Sequence, residues 1–144
     1  MKAKWILWVI AAAILVILAL VFFLPRPSSD LKQIQTADIQ EMIVYRPAGQ
    51  YTVTGREDME QVLEQLKEMR LRSAFPNTKD GMFAEIEMSL ENGRVLDVSL
   101  LGKHVRINGK YYRASKDPCP ELEQMLSGLE QTYEMTVYDT EKKQ

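Results

Sequence analysis

MFAEIEMSLENGRVLDVSLLGKHVRINGKYYRA, residues 82–114, decides the fold. Its apolar residues alternate, the period of strands with one buried face. Even positions are apolar in the first run (Met82, Ala84, Ile86, Met88, Leu90) and in the second (Leu96, Val98, Leu100). A two-residue turn at Asn92-Gly93 would pair even positions with odd ones and send the two sets to opposite faces. A three-residue loop Glu91-Asn92-Gly93, with Gly93 left-handed in a bulge, pairs Leu90 with Arg94, Met88 with Leu96 and Ile86 with Val98. The apolar pattern selects the bulged turn. Gly102-Lys103 suits a two-residue type II′ hairpin, which sets Leu100 opposite Val105 and Val98 opposite Ile107. Asn108-Gly109 signals a type I′ turn and sets Val105 opposite Tyr112. The three turns agree on one buried face, so the stretch reads as a four-strand antiparallel meander.

The same register assigns the opposite face residue by residue. One cross-strand row is Glu85, Ser99, Arg106 and Tyr111; the next is Phe83, Leu101, His104 and Arg113; a third is Glu87, Asp97 and Asn108. A solvated face is common on antiparallel sheets. The alternative is a partner-binding surface, because Tyr, Phe and Arg are residue types that anchor interfaces. The candidate binding residues are Phe83, Glu85, His104, Arg106, Tyr111 and Arg113. Glu87 opposite Asp97 is a local conflict, since opposed like charges destabilise a strand pair. The pair either shares a proton or a cation, or simply diverges into solvent and is screened.

Outward from the meander, DIQEMIVYR (38–46) and YTVT (51–54) read as a hairpin across Pro47-Ala48-Gly49-Gln50. TGREDMEQVLEQLKEMRLR, residues 54–72, reads as a helix. Thr54 and Glu57 have the spacing of a capping box. Met59, Val62, Leu63, Leu66 and Met69 form its apolar stripe, and Arg70 and Arg72 suit its C-terminal end. SAFPNTKDG, residues 73–81, reads as a loop. A last helix starts near Asp117 as N-cap, with Leu122, Met125, Leu126 and Leu129 inward. The order is ββαββββα. It predicts an α+β fold, a two-layer domain with both helices on one face of an antiparallel sheet.

Residues 5–24, WILWVIAAAILVILALVFFL, carry no charge. About 20 apolar residues cross a bilayer as a helix, and Trp5 and Trp8 stand where an interfacial belt would place them. A cleaved signal peptide has a shorter apolar core followed by small residues. Here the run ends in Phe22-Phe23-Leu24-Pro25, which favours an uncleaved anchor. Lys2 and Lys4 favour a cytoplasmic N-terminus, a bias that Arg26 and Lys32 beyond the run weaken. The expected domains are an anchor over 1–24, a stalk over 25–37, an extracytoplasmic domain over 38–135 and a frayed tail over 136–144. The chain is thus expected in the cytoplasmic membrane through residues 5–24, with a protein or cell-envelope component as its partner.

TGREDMEQVLEQLKEM after a first hairpin and VRINGKYYRAS before a final helix resemble small membrane-anchored extracytoplasmic domains of Gram-positive bacteria. The likeness covers roughly residues 38–130 in order of elements. Those families are largely of unknown function. The resemblance implies location and fold, and transfers no active-site residue.

Beyond the anchor, the 18 basic residues less Lys2 and Lys4 stand against 20 acidic ones, a net charge of −4. Nucleic acid would call for a clustered basic excess. Cys119 is the single cysteine, so no internal disulfide forms. It sits near a helix N-terminus, a position that can lower a thiol pKa. Together with His104 it makes a conceivable dyad, but with no orienting third residue; a partly buried apolar role and an intermolecular disulfide stay open. The glycines are isolated in turns, so no phosphate loop forms, and no metal-ligand spacing surrounds His104. The eight methionines fall mainly on core faces. The expectation is a non-catalytic domain with no cofactor and no metal. The alternative is a small-molecule binder or enzyme using Glu85, His104 and Arg106.

Overall fold

A computed structural model describes residues 2–76 and 81–138. The chain begins with α1 (Lys2–Phe23), then a short α2 (Ser29–Lys32) and a 3-10 turn (Thr36–Asp38). The hairpin β1 (Ile39–Arg46) and β2 (Gly49–Val53) follows, then α3 (Arg56–Glu68) and β3 (Leu71–Ser73). The meander is β4 (Ala84–Leu90), β5 (Val95–Leu101), β6 (His104–Ile107) and β7 (Lys110–Ala114). Finally come α4 (Cys119–Thr132) and β8 (Thr136–Val137). The fold is α+β. Its sheet has eight strands in the order β3-β7-β6-β5-β4-β1-β2-β8, every named pair antiparallel.

The meander has the register that its turns dictate. Gly93 is left-handed at φ 83°, and the Leu90 N–H donates to Arg94 O at 2.8 Å, which brings Met88 to Leu96 and Ile86 to Val98. Gly102 has φ 71°, and Asn108 and Gly109 have φ 48° and 79°, as types II′ and I′ require. Ala84, Ile86, Met88, Leu96, Val98, Leu100, Val105 and Ile107 are all buried. Met82 differs: it precedes β4 and is exposed.

The helices cover this face. Met59, Val62, Leu63 and Leu66 come from α3, and Leu122, Leu126 and Leu129 from α4. Each such side chain contributes about 1.5–3 kcal/mol of transfer free energy when fully buried. The N-terminus of α3 departs from the expected capping box. Its N-cap is Gly55, with no side-chain cap bond, and Thr54 lies one residue outside. A Cβ at Gly55 would sit 2.6 Å from the Tyr133 hydroxyl, which accepts the Gly55 N–H at 2.9 Å. The same hydroxyl donates to the Asp58 carboxylate. Tyr133 thus joins the end of α4 to the start of α3, where the expected cap would have been.

Three segments differ from their sequence reading. The expected long helix stops at Glu68, and Leu71–Ser73 instead pair with β7 as an edge strand, Arg72 opposite Arg113. The expected stalk, 25–37, is packed. Arg26 and Leu71 exchange backbone hydrogen bonds of 2.8 and 2.7 Å. Leu31 and Ile34 are buried in the core, and Arg56 reaches back to the carbonyls of Thr36 and Ile39 at 2.9 and 3.0 Å. Two apolar residues among polar ones are too few to register as a period, yet they fill the space beside α3. Thr136 and Val137, expected to fray, pair with β2. Residues 77–80 of the expected loop and 139–144 of the expected tail lie outside the described residues.

Candidate functional site

The face of β4–β7 turned away from the helices carries the candidate residues. Glu85, Ser99, Arg106 and Tyr111 stand directly opposite one another across the four strands. Ser99 is only 1% exposed. The Arg106 Nη2 donates to its Oγ at 3.1 Å. This contact draws the guanidinium across β5 instead of letting it extend into water. Arg106 Nε is buried with no hydrogen-bond partner among the described residues. An under-bonded guanidinium costs desolvation energy that the bond to Ser99 only partly offsets. Glu85 and Tyr111, on the outer strands of the four, are half-buried.

In the second row Leu101, His104 and Arg113 align as expected, and the row continues to Arg72 on β3. The sequence reading missed Arg72 as part of this surface, because a cation after a helical stripe is also what a helix C-terminus favours. Phe83 leaves the row. It lies ahead of β4 and packs against the core cluster, with the Arg46 guanidinium 4.5 Å from its ring centroid. Arg46 shares the covered face of β1 with Met42 and Val44. Its Nη2 meets both Glu123 oxygens at 3.1 and 2.9 Å, and its Nε meets Glu130 at 2.8 Å. Burial by itself would lower the basicity of Arg46, but the bonds and charges of Glu123 and Glu130 reverse that and raise it. Phe83 and Arg46 therefore belong to the clasp that holds α4 on the sheet.

In the third row Glu87 faces Asp97, and Asn108 Oδ1 accepts the Asp97 N–H at 3.1 Å. Among the described residues no three His, Cys, Asp or Glu side chains converge as a metal-ion shell. The sheet continues the other way onto β1, where Ile43 stands opposite Glu87 in the third row and Tyr45 opposite Glu85 in the first. Burial, then the Glu87 and Glu85 charges, push the Tyr45 phenol above its ordinary pKa. Ile43 and Tyr45 escaped the sequence reading because the pairing of β1 with β4 is long-range, and no turn signals it.

Cys119 is half-buried and its thiol is not activated. Burial, then the Asp117 charge, push the thiol up to about 11, so it is protonated at neutral pH. Its Sγ lies 3.6 Å from the Gly102 carbonyl. The Asp117 carboxylate accepts the Cys119 N–H at 2.9 Å, one residue further out than an N-cap, which is Pro118.

Surface hollows lie along α3 and α4, beside α2, and on both sides of the α1–β3 junction, where Arg113 and Arg72 line one of them. None of these is lined by Glu85, Arg106 or Tyr111. The candidate surface is a shallow, mixed-charge sheet face with a half-buried arginine at its centre. Comparison of the chain with protein-family models, with curated proteins and with solved structures found no match in any of the three.

Proposed function

We propose that the chain is a single-pass membrane protein whose α+β domain binds a protein or cell-envelope component through the uncovered sheet face, without catalysis. In this reading α1 spans a bacterial cytoplasmic membrane, with the N-terminus inside and the domain outside. α1 supports it by length and composition: 22 residues, an 18-residue stretch of mean hydropathy 3.2 and no buried residue. The observation that carries the binding reading is the central row. Arg106 stands between Ser99 and Tyr111 in a row that Glu85 completes, bonded through Nη2 to Ser99, with a buried Nε donor that the described chain leaves unused. A flat aromatic–arginine surface suits a macromolecule better than a small substrate, which is usually enclosed in a cleft.

The test is crosslinking in cells of the full-length chain with photoreactive residues at Arg106 and Tyr111. The expected result is one recurrent adduct, lost in an R106A/Y111A chain that still melts as the parent does. Absence of any adduct from a folded, inserted chain rejects the reading. A saturable small ligand that raises the melting temperature, together with an activity lost in H104A, would replace it with the enzyme or small-molecule reading through Glu85, His104 and Arg106. A phosphatase fusion at the C-terminus that is inactive would reverse the proposed orientation.

A further inference from the structure

We propose that the β3–β7 edge docks on anionic phospholipid headgroups through Arg72, Lys103 and Arg113. The inference rests on the reading that α1 spans a bilayer. Only Leu24 and Pro25 separate the last residue of α1 from Arg26, whose backbone bridges to Leu71 on β3. Three residue steps span at most about 10 Å. The headgroup layer beyond the hydrocarbon is about 5–7 Å deep on each side. The β3 edge is therefore tethered at headgroup level.

The side chains at this edge are cationic. Arg72 and Arg113 stand directly opposite each other across β3 and β7, both exposed, and neither has an ion-pair partner among the described residues. The Lys103 carbonyl accepts the Ala114 N–H at 2.7 Å, which fixes the lysine beside Arg113. Arg72, Lys103 and Arg113 line one hollow together with Phe23 and Pro25, at the end of the apolar helix. Arg72 and Arg26 line the hollow on the other side of the junction, with Phe22 and Leu24. No acidic side chain is among the described residues that line either hollow.

Opposed arginines on neighbouring strands repel each other and weaken the pair. A phosphate between them removes that repulsion, because guanidinium groups take phosphate oxygens bidentately. The placement is informative because the chain beyond the anchor is acidic overall. Four of its 16 cations, Arg26, Arg72, Lys103 and Arg113, line the hollows where apolar helix and sheet edge meet, which is where lipid phosphates would lie.

The test uses the full-length chain in nanodiscs of pure phosphatidylcholine and of phosphatidylcholine with phosphatidylglycerol. Amide exchange is read over residues 71–73 and 103–114. The expected result is exchange slower by at least about fivefold with phosphatidylglycerol, the factor one engaged cation supplies, and recovery of the faster rate at high salt. An R72Q/K103Q/R113Q chain should lose the lipid dependence while melting in phosphatidylcholine at or above the parent temperature. Equal exchange of the parent chain in both lipids, with the chain inserted, overturns headgroup docking and leaves the spanning reading intact. Failure of the chain to co-purify with either nanodisc overturns both.

Discussion

On β4, Ile86 and Glu87 are neighbours that face opposite ways. Ile86 is fully buried between Val44 and Val98, whereas Glu87 is half-exposed opposite Asp97. The covered face is set by volume and transfer free energy, and every position on it has a neighbour above, below and across. The open face tolerates two opposed carboxylates; a buried arginine donor without a partner among the described residues occurs on both faces, at Arg106 Nε and at Arg46 Nη1. Folding constrains the first face tightly and the second weakly, so the open face is where the chain can carry residues for other reasons. Arg46 complicates the division, because it is a charged side chain on the covered side.

The largest effect should come from Ile86→Ala. A fully buried isoleucine in the centre of the sheet should cost about 3–4 kcal/mol, by lost transfer energy and the cavity left behind. Urea denaturation measures it, and a loss below about 1 kcal/mol would show that the covered face can collapse and is less tightly packed than its burial implies.

Arg46→Met should cost about 2 kcal/mol. It strands Glu123 and Glu130 on α4, but Glu123 is 46% exposed and can rehydrate, which keeps the loss below that of a fully buried pair. The pH dependence sharpens the point. The Arg46 hydrogen bond, with help from Ser127, lowers the Glu123 pKa in the folded chain. A lowered carboxylate pKa stabilises the fold above the unfolded value of about 4.3 and ceases to do so as pH falls through the folded value. The parent should therefore lose stability below about pH 4.3 more steeply than the Arg46→Met chain. Parallel acid titrations of the two would show instead that the clasp carries no linkage.

Tyr133→Phe should cost about 1 kcal/mol, since it leaves the Gly55 N–H and the Asp58 carboxylate without their shared hydroxyl. Thermal unfolding reads it, together with faster amide exchange at the start of α3. Glu87→Gln should have the smallest effect, a gain of up to about 0.5 kcal/mol from relieved repulsion with Asp97. A loss of more than about 1 kcal/mol would mean that the Glu87 carboxylate makes a stabilising contact.

Local chemistry made the meander legible. Gly93, Gly102 and Asn108-Gly109 sit where turn geometry demands them, and the alternation between them leaves one register. The first rows of the open face followed from that register. What was not legible depends on distant partners. β3 has three residues and exists through its pairing with β7. Leu31 and Ile34 are too few to show a period. Phe83 has the parity of the open face but lies ahead of the strand, so parity does not bind it. Thr54 and Glu57 have cap spacing, yet the Tyr133 hydroxyl, far along the chain, takes the position. The Arg46 clasp joins residues from two elements that no sequence rule connects.

The two-residue step from α1 to the Arg26–Leu71 bridge leaves almost no slack for swivelling. If α1 crosses a bilayer, the azimuth of the domain about the membrane normal is geared to the helix. Each residue inserted within α1 would turn the open face by about 100° and raise it by about 1.5 Å. Which neighbour the face meets is then selected by which stripe of α1 packs inside the membrane. A shaft and its vane would be read as one part.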